Sequence, residues 1–74
     1  MQPFLDIGTL VIVNIWGEEN EMEFVMGIVT RVNRQIWNNH IIFIPKYGMK
    51  RMENRCKIYL YTEQNWNNLH KEEE

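Results

Sequence analysis

The chain has no alanine and only one cysteine among its 74 residues. Without alanine, and with Ile, Val, Phe, Tyr and Trp prominent in a 45% apolar composition, it favours strands, because branched and aromatic side chains suit a pleated surface. The lone Cys56 excludes an internal disulfide, and with His40 and His70 as the only further soft ligands there is no zinc pattern and no sign of a cofactor. No run of about 18 apolar residues is present to cross a membrane, and "MQPFLDIG" lacks the basic start and apolar stretch of a signal peptide, so the expected location is cytoplasmic. Also missing are a Gly-rich phosphate loop, internal repeats, a linker and low-complexity sequence. The missing alanine, with frequent Asn, Ile, Lys and Glu, fits an A/T-rich genome such as that of a low-GC bacterium or its phage.

A further absence is positional. Residues 1–30 contain no Lys or Arg, only Asp6, Glu18, Glu19, Glu21 and Glu23, whereas residues 31–57 hold Arg31, Arg34, Lys46, Lys50, Arg51, Arg55 and Lys57 against Glu53. Residues 58–74 return to acid with Glu63, Glu72, Glu73 and Glu74 against Lys71. The net charge of −2 therefore averages a basic segment between two acidic ones.

What is present reads as one small domain over residues 1–70 with an acidic, frayed tail at 71–74. "TLVIVNIW" places Val11, Val13 and Ile15 on one side of a buried strand that ends at Gly17, before the acidic loop "GEENE". Residues 22–37 read as a long second strand, with Met22, Phe24, Met26, Ile28, Thr30 and Val32 on one face. Gly27 marks a bulge or bend on the other. Asn38 and Asn39 suit a two-residue hairpin turn, "HIIFIP" returns as a third strand stopped by Pro45, and a turn at Tyr47 and Gly48 precedes a short strand at Met49–Met52. Residues 55–61 form the last strand, and Thr62 caps a short helix in which Trp66 and Leu69, three apart, dock on the barrel rim. The fold class is mostly β: a small antiparallel barrel of about five strands with a short C-terminal helix. A chain this small buries only about 60% of its unfolded surface, so homo-oligomerisation through strand edges would add to its stability.

The rhythm of "IGTLVIV", "MGIVTRV" and "KYGMKRMENRCKIYLY" resembles Src-homology-3-like barrels, including Tudor-type modules and the Sm-like fold, over residues 7–61. The Sm-like RNA-binding loop is not matched after "VTRVN", so no site residue is carried over. The resemblance implies a binding domain for nucleic acid or peptides, often oligomeric.

The sequence reads as a non-catalytic binding module with two candidate surfaces, of which the leading one is for nucleic acid. Arg55, Lys57, Tyr59 and Tyr61 alternate with Cys56, Ile58 and Leu60. With Arg31, Arg34, Lys50 and Arg51, and with Trp37 beside the turn, they would contact phosphates and stack on bases. The same stripe also suits the wet face of an ordinary strand. The second surface is the loop holding Glu18, Glu19, Glu21 and Glu23. It serves either as a solvated turn that guards strand edges or, in the alternative of a protein-binding adaptor or a phage-type inhibitor of a nucleic-acid enzyme, works with an exposed strand edge to attract a basic partner. Catalysis is not expected: Cys56 sits at an apolar position, His40 reads as a surface residue, and the carboxylates cluster in loop and tail rather than facing each other.

Overall fold

Val11, Val13 and Ile15 alternate along strand β1 (Leu10–Trp16) and are sealed from solvent, as the periodicity predicts. The structure, a computed structural model, describes residues 4–33 and 39–71. After β1 come β2 (Met22–Asn33), β3 (Asn39–Ile44), β4 (Met49–Asn54), a 3-10 turn (Arg55–Lys57), β5 (Ile58–Leu60) and helix α1 (Glu63–Leu69). The five strands form one antiparallel sheet in the order β4-β3-β2-β1-β5. The sheet ends at β4 and β5, which pair with β3 and β1 rather than with each other. Among the described residues no helix is long and apolar enough to cross a membrane.

Cross-strand partners share a face, so the register sorts the side chains. The inner face carries the core: Val11, Val13 and Ile15 from β1, Val25 and Val29 from β2, Ile42 and Ile44 from β3, and Ile58 from β5, with Leu5 closing one end. Gly27 belongs here for want of space, because a Cβ on it would lie 2.3 Å from Ile42 Cγ2 and 3.2 Å from the Phe43 carbonyl oxygen.

The bulge is not at Gly27 but at Thr30. Val29 faces Ile42 and Arg31 faces Ile41, so Thr30 is the extra residue, and its hydroxyl donates to the Ile41 carbonyl at 3.2 Å. Parity reverses across it. Phe24, Met26 and Ile28 face outward, whereas Val32, expected on their face, lies beside His40 and packs on the core. The two-residue turn at Asn38 and Asn39 is also corrected, since Asn39 already pairs with Asn33 inside β3. The expected continuation of the second strand to residue 37, along with Arg34, Trp37, Asn38 and the acidic residues 72–74, lies outside the described residues.

The second hairpin follows the sequence closely. Pro45 ends β3, and Gly48 takes a left-handed φ of +61° in the turn that leads to β4. β4 runs two residues beyond the expected strand, to Asn54. Thr62 caps α1 by accepting from Asn65 N–H at 3.0 Å, and the helix returns onto the outer side of the sheet, where His70 meets Phe24 edge to face and Trp66 packs on Tyr61. Ile12, paired with Met26 and Tyr59 on this side, is fully buried.

Candidate interaction surfaces

The final strand does not carry the expected stripe. Asn54 accepts the Cys56 N–H through its side chain at 3.1 Å, winding residues 55–57 into a 3-10 turn and leaving only Ile58–Leu60 extended. Cys56, expected inside, is therefore exposed. Arg55 folds back to donate to the Ile58 carbonyl at 3.0 Å, so it clasps the turn instead of reaching for a ligand. Lys57 is exposed on the same turn, Tyr59 faces outward edge-on to Phe24, and Tyr61 lies against Trp66. Arg51 is on the inner side and pairs with the buried Glu53 at 2.8 Å. Only Arg31 and Lys50 of the described basic residues come together on one open face, the outer side of β2, β3 and β4.

Sequence reasoning missed what lies between these two cations. The register sets Leu10, Ile28, Phe43 and Lys50 in one row across the outer face and Arg31, Ile41 and Met52 in the next. Leu10, at 44%, and Met52, at 48%, are exposed at the ends of the two rows, and Ile28, Phe43 and Ile41 between them are half-buried. The available signal was the apolar content of "HIIFIP" at both parities, which requires a second apolar face on β3.

His40 also departs from expectation. It is fully buried, and its Nε2 accepts the Leu5 N–H at 2.9 Å beneath the Phe4 ring, so it fastens the N-terminal segment across the end of the core. Accepting through Nε2 requires the imidazole to be neutral there.

The acidic loop is the tip of the β1–β2 hairpin. Gly17 N–H donates to the Glu21 carbonyl at 2.8 Å, Asn20 adopts φ 61°, and the Trp16 indole donates to the Asn20 side chain at 3.1 Å, so the tip is locally braced. Trp16 and Met22 are register partners at its root and are 59% and 53% exposed, because they point to the outer side of the sheet, away from the core that takes Ile15. Glu18, Glu19 and Glu21, all exposed, lie on the loop between them. Among the described residues the ion pairs are Lys46–Glu23 and Arg51–Glu53, so none of these three is neutralised by a described cation. A crevice of about 240 Å³ beside Trp16 continues over Gly17, Tyr47 and Met49.

Glu23 has a different role from its neighbours in the loop. It accepts from the Tyr47 hydroxyl and pairs with Lys46 at 3.0 Å, tying the first hairpin to the turn of the second. The Tyr47 hydrogen bond first, and Lys46 second, hold its carboxyl below the usual carboxylate range. The same hydrogen bond, helped by burial, pushes the Tyr47 hydroxyl up, and the carboxylate pushes Lys46 up. A cleft of about 360 Å³ opens beside this tie, between Phe24, Met26, Pro45, Trp66 and His70.

Among the described residues no three of His, Cys, Asp and Glu gather as metal ligands. The fold and these surfaces define a small, mostly β domain of five antiparallel strands with an acidic, Trp-bearing hairpin at one end. No protein-family model, curated protein or solved structure matches the chain.

Proposed function

We propose that the chain is a non-catalytic protein-binding module, an adaptor or inhibitor, which engages its partner through the tip of the β1–β2 hairpin. The observation that carries this is the exposure of Trp16 and Met22 side by side at the root of a loop whose three exposed carboxylates pair with no described cation. An exposed tryptophan is costly in isolation and effective as an interface anchor, since large rings with low side-chain entropy dominate binding hot spots. The carboxylates select a basic rim around the pocket that receives it, and they speed encounter with such a surface. The order of strands, with the last returned beside the first, supports a fold of the Src-homology-3-like kind.

Nucleic-acid binding is the second reading, favoured by one observation: Arg31 and Lys50 flank Phe43 and Ile41 on an open sheet face. The test runs both in parallel. Affinity capture from extracts with the wild type, Trp16→Ala and Arg31→Glu/Lys50→Glu should retain a common partner on the wild type and the double variant and lose it on Trp16→Ala. Fluorescence anisotropy with labelled single-stranded RNA, single-stranded DNA and duplex DNA across a salt series reports the alternative. Salt-sensitive binding that is abolished in Arg31→Glu/Lys50→Glu and indifferent to Trp16→Ala would replace the first reading with the second.

A further inference from the structure

The hairpin tip and the open outer face are complementary, and a single copy cannot satisfy both. The tip offers Trp16 and Met22 with Glu18, Glu19 and Glu21; the face offers exposed Met52 beside half-buried Phe43 and Ile41, with Arg31 and Lys50 on the strands to either side of β3. Met22 and Arg31 stand nine residues apart on the same strand, a separation of roughly 30 Å at the usual rise of a β-strand. That is most of the molecule's 39 Å length. An acidic apolar knob is thus displayed at one end of β2, and a basic apolar seat is displayed toward the other end.

We propose that the chain associates with itself head to tail, the hairpin tip of one copy seating on the Arg31–Lys50 face of the next. This rests on the reading of the tip as a protein-binding anchor and names its partner as a second copy. Apolar contact of Trp16 and Met22 with Phe43, Ile41 and Met52 removes exposed apolar surface from water on both sides. The carboxylates and the two cations fix the direction. Tip and seat are different patches on the same outer side of the sheet, so an open assembly leaves a free tip at one end and a free seat at the other, whereas a closed pair or ring leaves neither. A tip of this size makes a small interface, so the association is reversible and salt-sensitive.

Charge exchange tests it. One variant reverses the tip (Glu18→Lys/Glu19→Lys/Glu21→Lys), and another reverses the seat (Arg31→Glu/Lys50→Glu). A third, carrying both reversals, has its complementarity restored. In sedimentation velocity the wild type should rise in mean mass above the 9.1 kDa monomer with concentration and fall back with added salt. Each single-surface reversal should weaken association by at least about tenfold, through like charges brought face to face. The third variant should associate again, with circular dichroism confirming the fold of all three.

A wild type that stays monomeric at every concentration overturns the proposal. So does association that survives either single-surface reversal, which would point to pairing of the β4 and β5 edges, or a third variant that folds but remains monomeric. A monomeric wild type that still captures a foreign protein through Trp16 would overturn self-docking and leave the reading of the tip intact. Seat-dependent binding of labelled RNA or DNA without self-association would give that face to nucleic acid and overturn it as well.

Discussion

Gly27→Ala is the sharpest probe of how tightly β2 and β3 are joined. The added methyl would lie 2.3 Å from Ile42 Cγ2, where carbon atoms rest at about 3.5–4.0 Å, and 3.2 Å from the Phe43 carbonyl oxygen. Ile42 is fully buried and cannot swing away, so the strain must pass into the backbone pairing. Overpacking of this kind costs about 1–3 kcal/mol, offset by the roughly 0.5–1 kcal/mol that alanine gains over glycine within a strand. A net loss of about 1–2 kcal/mol is expected, from a total of about 4–11 kcal/mol for a domain of 74 residues. This corresponds to a fall in Tm of roughly 4–16 °C. Ile42→Leu is the informative partner, because leucine lacks Cγ2 at near-constant volume, whereas Ile42→Val would keep the offending methyl. Urea unfolding followed by tryptophan fluorescence should show Gly27→Ala lowering the midpoint with the m-value unchanged. The double variant should be at least about 1 kcal/mol more stable than the sum of the single effects predicts. If Gly27→Ala is as stable as the wild type, or if the two changes simply add, the close approach of β2 to the Ile42 methyl is refuted.

Other expectations follow from the same contacts. The Glu23–Tyr47–Lys46 tie involves a lowered carboxyl and a raised hydroxyl, so its contribution is present above about pH 4.3 and fades as acid protonates Glu23. On the basic side it is present below about pH 10 and is lost as Tyr47 ionises above its raised value. Stability measured between pH 7 and pH 3 should therefore fall less steeply in Tyr47→Phe than in the wild type, and equal slopes would count against the tie. His40→Leu leaves the Leu5 N–H buried without its acceptor, a loss of about 1–3 kcal/mol seen in urea unfolding and as faster chymotryptic cleavage near Phe4, whereas an unchanged midpoint would contradict the latch. Thr62→Ala removes the cap of α1, worth about 0.5–2 kcal/mol, and should shift the NMR signals of Trp66 and His70 while leaving those of Val13 and Val25 in place. A thiol reagent should label Cys56 completely in the native protein without urea, and protection would show that the 3-10 turn is not formed.

Much of the architecture was legible because local signals agreed with one another. The alternation through Val11, Val13 and Ile15, the stop at Pro45, the left-handed Gly48 and the Thr62 cap each rest on residues close together in the chain. The departures rest on distant partners or on competition the pattern does not reveal. Arg55 to Leu60 alternates as a strand should, but the Asn54 side chain offers the Cys56 N–H a nearer acceptor than a neighbouring strand does, and the turn wins. His40 beside a run of asparagines reads as surface, yet Leu5, 35 residues earlier, crosses over it and supplies the N–H that makes its burial tolerable. The basic block is continuous in sequence and scattered in space, because successive residues of a strand face opposite ways: Lys50 points outward, while Arg51 turns in toward Glu53. Trp16 closes the apolar run of a strand read as buried and is instead displayed, a consequence of its pointing to the side of the sheet away from Ile15 and the core.

The bulge at Thr30 also governs which changes of chain length β2 can absorb. Up to Val29 the odd-numbered residues point into the core, and from Val32 the even-numbered ones do, so Thr30 is surplus to a regular strand. Deleting it keeps Val29 and Val32 inward and Arg31 outward and removes only the local bend. Deleting any single residue between Phe24 and Ile28 would instead slide one half of β2 against its neighbours, turning either apolar side chains out or outer-face residues into the core. In descendants of this sequence, single-residue length variation within β2 would therefore survive most readily at Thr30.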